Sequence, residues 1–386
     1  MFHIALKMLF GDPGKYLGII TAIALSSVIM VQQPAMLVDM LSQTYGTISD
    51  ISLPDIWVMD PGVKSVDDSK PIQDTQLYRV RGVRGVEWAV PFYKGMQKVR
   101  LENGESAMCQ LVGLDDSTLI GGPAVMLKGR LADLHIPDGV IVDESGARGR
   151  LAKRACEECP PVPIGVGDIL EFNDTRALVV GVARSTPSFM SQPVVFTTYS
   201  RAKTLALSER KMLSFVLAKA KQGEAPEAVA RRISAETGLT AYSSEEFKQA
   251  SLEHIVKHTN ILVNIGFVVL IGFVVGTAVT GQIFYNFTLD NLRYFGVFKA
   301  MGASDRTLLG MILLQALLVG FVGFGFGAGA TAAFMHATAG GPGPQAKLTW
   351  QLLLGSGGAV MFIVLLAAFI SARKVLRLET AVVFKA

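Results

Sequence analysis

The sequence predicts a membrane α-helical protein with four transmembrane helices and one α+β extracytoplasmic domain inserted between the first and second spans. Three observations carry this fold class. Four apolar stretches, Leu17 to Leu37, about Ile261 to Phe284, about Leu308 to Met335 and about Leu352 to Ile370, are each near or above the roughly 20 residues that cross a bilayer core. A polar, strand-like region of about 220 residues separates the first from the second. Half of the residues are hydrophobic and only 18% are charged, against roughly 25% in an ordinary soluble domain. The formal net charge of +4 is too small to point to nucleic acid.

The elements follow in order. Residues 1–16 read as a cytoplasmic amphipathic helix, with Phe2, Ile4, Leu6, Met8 and Leu9 around Lys7, before Gly11-Asp12-Pro13-Gly14 turns the chain into the membrane. The first span, 17–37, is read as an uncleaved anchor. Its apolar run exceeds the 7–15 residues of a signal peptide, and Gln32-Gln33-Pro34 follows without a small-residue cleavage site. Near the span ends, Lys7, Lys15, Arg293, Lys299, Arg306, Arg373, Lys374, Arg377 and Lys385 stand on one side and Lys347 alone on the other. That bias places both termini in the cytoplasm and the insert, 38–257, on the opposite side.

Within the insert, Asp55 to Met59, Gln97 to Leu101 and Ala107 to Val112 are short β-type runs, the last two joined by the hairpin signal Asn103-Gly104. Leu170 to Phe172, Ala177 to Val182 and Val194 to Phe196 extend the strand region, with a turn at Asn173-Asp174. Gln222 to Leu239 has the pattern of an amphipathic helix with Ala228, Val229 and Ile233 inward. Cys156 and Cys159 flank two glutamates in a Pro-rich loop. In an oxidising compartment this pair is expected to form a local disulfide, with redox activity and metal binding as alternatives. Cys109 lies among apolar residues of a strand and is expected to be buried and inert. His254 and His258 share a face of a helix leading into the second span; they are either exposed stalk residues or ligands for a metal or haem.

The second span is set at 258–285, the third at 307–335 and the fourth at 350–371, with a cytoplasmic loop at 286–306, a short outer loop at 336–349 and a tail at 372–386. No Asp, Glu, Lys or Arg falls inside the apolar core of any span, which disfavours a pump built on a buried carboxylate. Asn264, Gln282 and Gln315 are expected to make interhelical bonds or lie at interfaces. Gly320, Gly323, Gly325, Gly327 and Gly329 point to close packing of the third span on a neighbour, or to a hinge. Gly340 to Pro344 reads as loop, and Trp350 as an interfacial anchor.

An enzyme is not expected. There is no Gly-x-Ser-x-Gly elbow. Gly14-Lys15 is followed by Tyr16 and lacks the upstream Gly of a phosphate loop, so the chain has no Walker A site and no cofactor of its own.

Asp290-Asn291-Leu292-Arg293-Tyr294-Phe295-Gly296-Val297-Phe298-Lys299-Ala300-Met301-Gly302-Ala303-Ser304 resembles the inner loop of the FtsX/MacB-like ABC permeases, in particular the DevC-type branch. The layout of the whole chain resembles them too, down to the basic tail Ser371 to Glu379. The resemblance implies a type VII, mechanotransmission transporter of the bacterial inner membrane, with a separate ABC ATPase subunit that holds ATP and Mg. It also implies a second copy of the chain, a periplasmic adaptor, an outer-membrane channel and export of an amphiphile such as a glycolipid, peptide or drug. ATPase coupling falls to Leu292, Arg293, Phe295, Gly296, Phe298, Lys299, Ala300, Met301 and Gly302, where Leu292, Phe295, Val297, Phe298 and Met301 give an apolar face, Arg293 and Lys299 meet acidic groups and Gly302 ends the helix. Alternatives within the resemblance are a haem exporter, a lipoprotein-releasing permease and an FtsX-like regulator of a periplasmic cell-wall hydrolase. The stretch from Lys153 to Ile164 and Asp305 depart from the family pattern.

Overall fold

The computed structural model describes residues 7–8, 13–68, 70–153, 160–187, 192–206, 213–338 and 348–376. The Cys156–Cys159 pair, the Gly340–Pro344 loop and most of residues 1–12 and the tail lie outside the described residues. The chain forms two compact units. One comprises Met1–Asp39, Asn260–Ala339 and Gln345–Ala386; the other is centred on Met40–Thr259.

Among the described residues helix α1 spans Pro13–Thr44. The expected turn at residues 11–14 is therefore already helix from Pro13 on. A short α2 (Gly46–Asp50) follows.

The insert contains a split β-α-β unit. It is made of β1 (Ile56–Met59), α3 (Thr75–Gly82) and the first half of β2 (Val86–Leu101), then, much later, β9 (Phe215–Ala220), α6 (Pro226–Thr237) and β10 (Thr240–Ser243). The strands lie in the order β10-β1-β9-β2, all neighbours antiparallel, which is the ferredoxin-like arrangement. The chain between its second and third strands builds a second lobe: β3 (Ser106–Leu114), β4 (Val125–Lys128), β5 (Gly139–Asp143), α4 (Glu144–Arg148), β6 (Ile169–Phe172), β7 (Thr175–Arg184), β8 (Val194–Thr198) and α5 (Tyr199–Leu205).

The pairings of this lobe run from β2 to β3, β8, β5, β7 and β6 and return to β2, so six strands close on themselves. Closure leaves those strands no open edge. Turn chemistry fixes the register locally: Asn173 and Asp174, between β6 and β7, sit at φ +47° and +59°, the double left-handed turn of a tight hairpin.

Strands buried on both faces hold the insert together. Along β1, Ile56 and Val58 enter one apolar cluster with Val80, Val229 and Ile233 of the helices, while Trp57 and Met59 enter another. In β5, Val140 and Val142 divide from Ile141 in the same way. Trp57, Phe92, Phe215 and Phe247 form an edge-on and tilted aromatic cluster with centroids 5.5 to 6.4 Å apart. Phe247 comes from α7 (Ser244–His258), which begins with a capping box between Ser243 and Glu246. Cys109 is buried and free, and burial pushes its thiol up, as expected of an inert cysteine.

The membrane unit adds α8 (Ile261–Asp290), α9 (Leu292–Ala300), α10 (Asp305–Thr338) and α11 (Trp350–Leu376) to α1. Helices α1, α8, α10 and α11 are long and apolar enough to cross a membrane. Glycines set their spacing. A Cβ at Gly327 would meet Ser27 and stand 2.6 Å from the Ala24 carbonyl, and one at Gly323 would stand 2.7 Å from Ile23, so α10 presses on the backbone of α1. Gly320 faces Met361 and Val364 of α11, while Gly325 and Gly329 meet nothing within 4 Å. The glycine run thus packs on two neighbours and leaves a third side open. Several hydroxyls bond within their own helices, Ser27 on Ile23 and Thr331 on Gly327, and among the described residues two reach a neighbouring helix, Ser356 to the Met30 carbonyl at 2.9 Å and Ser371 to the Gly281 carbonyl at 3.4 Å. Gln315 is buried, whereas Gln282 bonds Asn286 of its own helix at an exposed position.

Candidate functional site

The loop between α8 and α10 is a two-sided helix. Asn291 donates to the Phe287 carbonyl at 2.8 Å and separates α8 from α9. At the far end Gly302 takes φ +94°. Its N–H donates to the Lys299 carbonyl and that of Ala303 to the Phe298 carbonyl, which is the Schellman pattern, with Ala303 and Phe298 packed on the same core. Ser304 then bonds Thr307 at the start of α10.

The expected single apolar face is divided between two sides of α9. Phe295 is buried, and Leu292 and Phe298 pack half-buried against the membrane core beside Leu308 and Met311. Gly296 is buried with them. Met301 is 67% exposed, Tyr294 59% and Val297 40%. Arg293, Ala300 and Gly302 are exposed on this outer side. Tyr294 and Val297 are absent from the coupling set read from the sequence, although the spacing from Tyr294 to Val297 and Met301, three and then four residues, marks one helix face. Lys299 is engaged within the chain, 3.0 Å from Asp305.

In the insert, α2 is held from two sides. Asp50 accepts bonds from the Thr186 N–H at 2.6 Å and its hydroxyl at 2.9 Å. Lys94 lies where β2 passes from one lobe to the other. Its ammonium donates to Asp67 at 2.7 Å, the Val66 carbonyl at 3.0 Å and the Thr47 hydroxyl of α2 at 3.3 Å. Burial lowers the pKa of Lys94, and the Asp67 carboxylate opposes that shift. The side chain is 1% exposed, so this is a buried charge retained by its partners. No group of three or more His, Cys, Asp or Glu able to hold a metal occurs among the described residues.

Four helices able to span a membrane, a two-lobed insert after the first and a capped amphipathic helix between the second and third define a multi-pass membrane protein with a folded domain inserted between its first two spans. Comparison with known proteins agrees. Residues 17–236 match the MacB-like periplasmic core domain and residues 262–380 the FtsX-like permease C-terminal domain. The chain belongs to the MacB/FtsX-type family of ABC transporter permeases. Proteins of two Mycobacterium tuberculosis strains, CDC 1551 / Oshkosh and ATCC 25618 / H37Rv, each described as an uncharacterized ABC transporter permease, are 24% identical over 254 residues, 65% of this chain and 62% of theirs. The chain thus matches less than two thirds of those relatives' length. Among solved structures, the extracellular domain of the noncanonic ABC-type transporter YknZ from Gram-positive bacteria aligns at 15% identity over 49% of this chain and 98% of that one, with TM-score 0.34. The periplasmic region of MacB from Actinobacillus actinomycetemcomitans aligns at 14% identity over 52% and 94%, with TM-score 0.37.

Proposed function

We propose that this permease works with a separate ATPase subunit that holds ATP and Mg, and that the outer face of α9 is where the two meet. The observation that supports this is the division of α9: Leu292, Phe295 and Phe298 are anchored in the membrane unit, while Tyr294, Val297 and Met301 stand open beside Arg293. An apolar stripe on one helix face is what a helix-in-groove partner reads. Lys299 has a different task in this reading. Paired with Asp305, it fixes the corner between α9 and α10.

The excess of cationic residues at one set of span ends supports a reading with α9 and both termini on the cytoplasmic side of a bacterial inner membrane and the insert on the other. Movement of the ATPase displaces α9 and the bundle in which it is anchored. The motion reaches the insert along the chain of α1, which continues into the doubly held α2. Two copies act together, with a periplasmic adaptor and an outer-membrane channel, to export an amphiphile such as a glycolipid, peptide or drug.

The test is purification of the tagged chain from native membranes in mild detergent, with identification of its partners by mass spectrometry. A Walker-type ATPase should co-purify. Val297→Asp and Met301→Asp, both on the open face, should lose that ATPase while inserting and melting like the parent. Retention of the ATPase, with normal stimulation of its turnover, in both variants would sink the docking role. Phe298→Asp is not diagnostic, because it places a charge against the bundle core.

A further inference from the structure

The outer side of α7 carries two imidazoles that play no part in the reading above. His254 and His258 are four residues apart, and their ring centroids are 4.4 Å apart with planes 29° from parallel. His258 Nδ1 lies 2.9 Å from the His254 carbonyl. A carbonyl oxygen only accepts, so Nδ1 carries the proton and donates, and Nε2 of His258 keeps its lone pair for a ligand. A backbone carbonyl on the second ring nitrogen is the usual way in which a metal-binding imidazole is oriented. His258 is exposed and His254 half-buried. Both open on a cavity of about 220 Å³ that is also lined by Tyr242, Glu253, Lys64 and Lys257.

We propose that His254 and His258 chelate one divalent transition ion of the Zn²⁺, Cu²⁺ or Ni²⁺ class, with water completing its shell. The donor set decides the class: imidazole suits these ions, whereas Mg²⁺ and Ca²⁺ seek several oxygens. Glu253 is paired with Lys257 and is not needed as a ligand. Lys64 and Lys257 face the same cavity, and their charges keep the affinity moderate. Two groups a helical turn apart can meet one ion with only side-chain rotation. The bound ion ties the last turn of α7 together and, binding the folded turn only, stabilises it.

The test uses the full chain in detergent, carrying a histidine-free affinity tag and stripped with a chelator. Titration with Zn²⁺ followed by calorimetry should show saturable binding of one ion per chain. His254→Ala and His258→Ala should each weaken it at least about tenfold, and Glu253→Gln should leave it unchanged. Cu²⁺ on the unaltered chain should give an electron paramagnetic resonance spectrum with hyperfine structure from two nitrogens, a readout that needs no variant. Absence of saturable binding, or equal binding by the double histidine variant, would overturn the assignment. So would a hemin Soret shift that depends on both histidines in a chain that takes up no free ion. None of these readouts requires an ATPase.

Discussion

The membrane unit and the insert cohere by opposite means. In the membrane unit, backbone approaches backbone: Gly323 and Gly327 of α10 admit α1 at distances no side chain would allow, hydroxyls turn back onto their own helices, and whole faces stay apolar and open, such as Val263, Phe267 and Val274 on α8 and Phe321 and Phe326 on α10. In the insert, side chains fill both faces of most central strands, aromatic rings lock on one another, and a lysine is buried with its counter-ion. The reason lies in the solvent. Lipid is as apolar as leucine, so helices gain little from hiding side chains and associate where surfaces are small and smooth. Water drives apolar groups inward wherever they are, so the insert is specified by what it buries.

Four predictions break or sharpen that contrast. The largest effect is expected from Gly327→Leu, whose side chain would have to occupy the space of Ser27 and the Ala24 carbonyl. Helices α1 and α10 should part, with loss of a monodisperse peak in detergent, while amide exchange in the strands of the insert stays slow. Phe215→Ala should do the reverse. It removes a ring from the cluster around Trp57 and should cost about 3–5 kcal/mol, seen as faster exchange in β1 and β9 with the membrane helices unaffected.

Lys94→Met should cost about 2 kcal/mol, below the usual loss for a fully buried pair because Asp67 keeps some access to water. Lys94→Met with Asp67→Leu should recover most of it, since no charge is then left without a partner. A double-mutant cycle by thermal melting checks this, and additive losses would show that the pair itself contributes little. Asp168→Asn is the mildest. Burial alone would raise the pKa of Asp168, but bonds from Lys153 and the Gly165 N–H outweigh it and hold the carboxyl below its ordinary range. A folded pKa below the unfolded one stabilises above the unfolded value and loses that contribution as pH falls through the folded one. Asp168→Asn should therefore cost under about 1 kcal/mol near neutrality and flatten the acid limb of a melting-temperature profile.

What the sequence disclosed follows the same divide. Membrane spans are legible because the demand for an unbroken apolar run is local, and so are the β2–β3 hairpin and the Asn173-Asp174 turn, whose residue types dictate backbone angles. The partners of the glycines were not legible: five occur in one run, and only position in the bundle separates Gly327, against α1, from Gly329, against nothing. Strands β5 and β9 escaped because strands buried on both faces lose the alternation that marks a half-exposed one. The cyclic pairing of six strands depends on contacts far apart in the chain, including parallel ones, and no local pattern encodes it. At α9 the residue types announced an amphipathic helix, but apolar groups on both sides hid which side the bundle takes.

The route of the chain through β2 and β9 has a kinetic consequence. Phe92 pairs with Phe215, and Lys94 N–H donates to the hydroxyl of Ser214, a contact spanning 120 residues of sequence. The whole barrel is thus the tip of one antiparallel hairpin. Joining β2 to β9 through an unstructured loop of that length would carry a heavy closure entropy. A barrel that closes first holds both chain ends side by side, and the outer sheet then zips up as though its turn were only a few residues long. Order of assembly in the insert accordingly runs from the tip back to the base, with pulsed amide labelling of β3, β5 and β7 expected to show protection before β1 and β10.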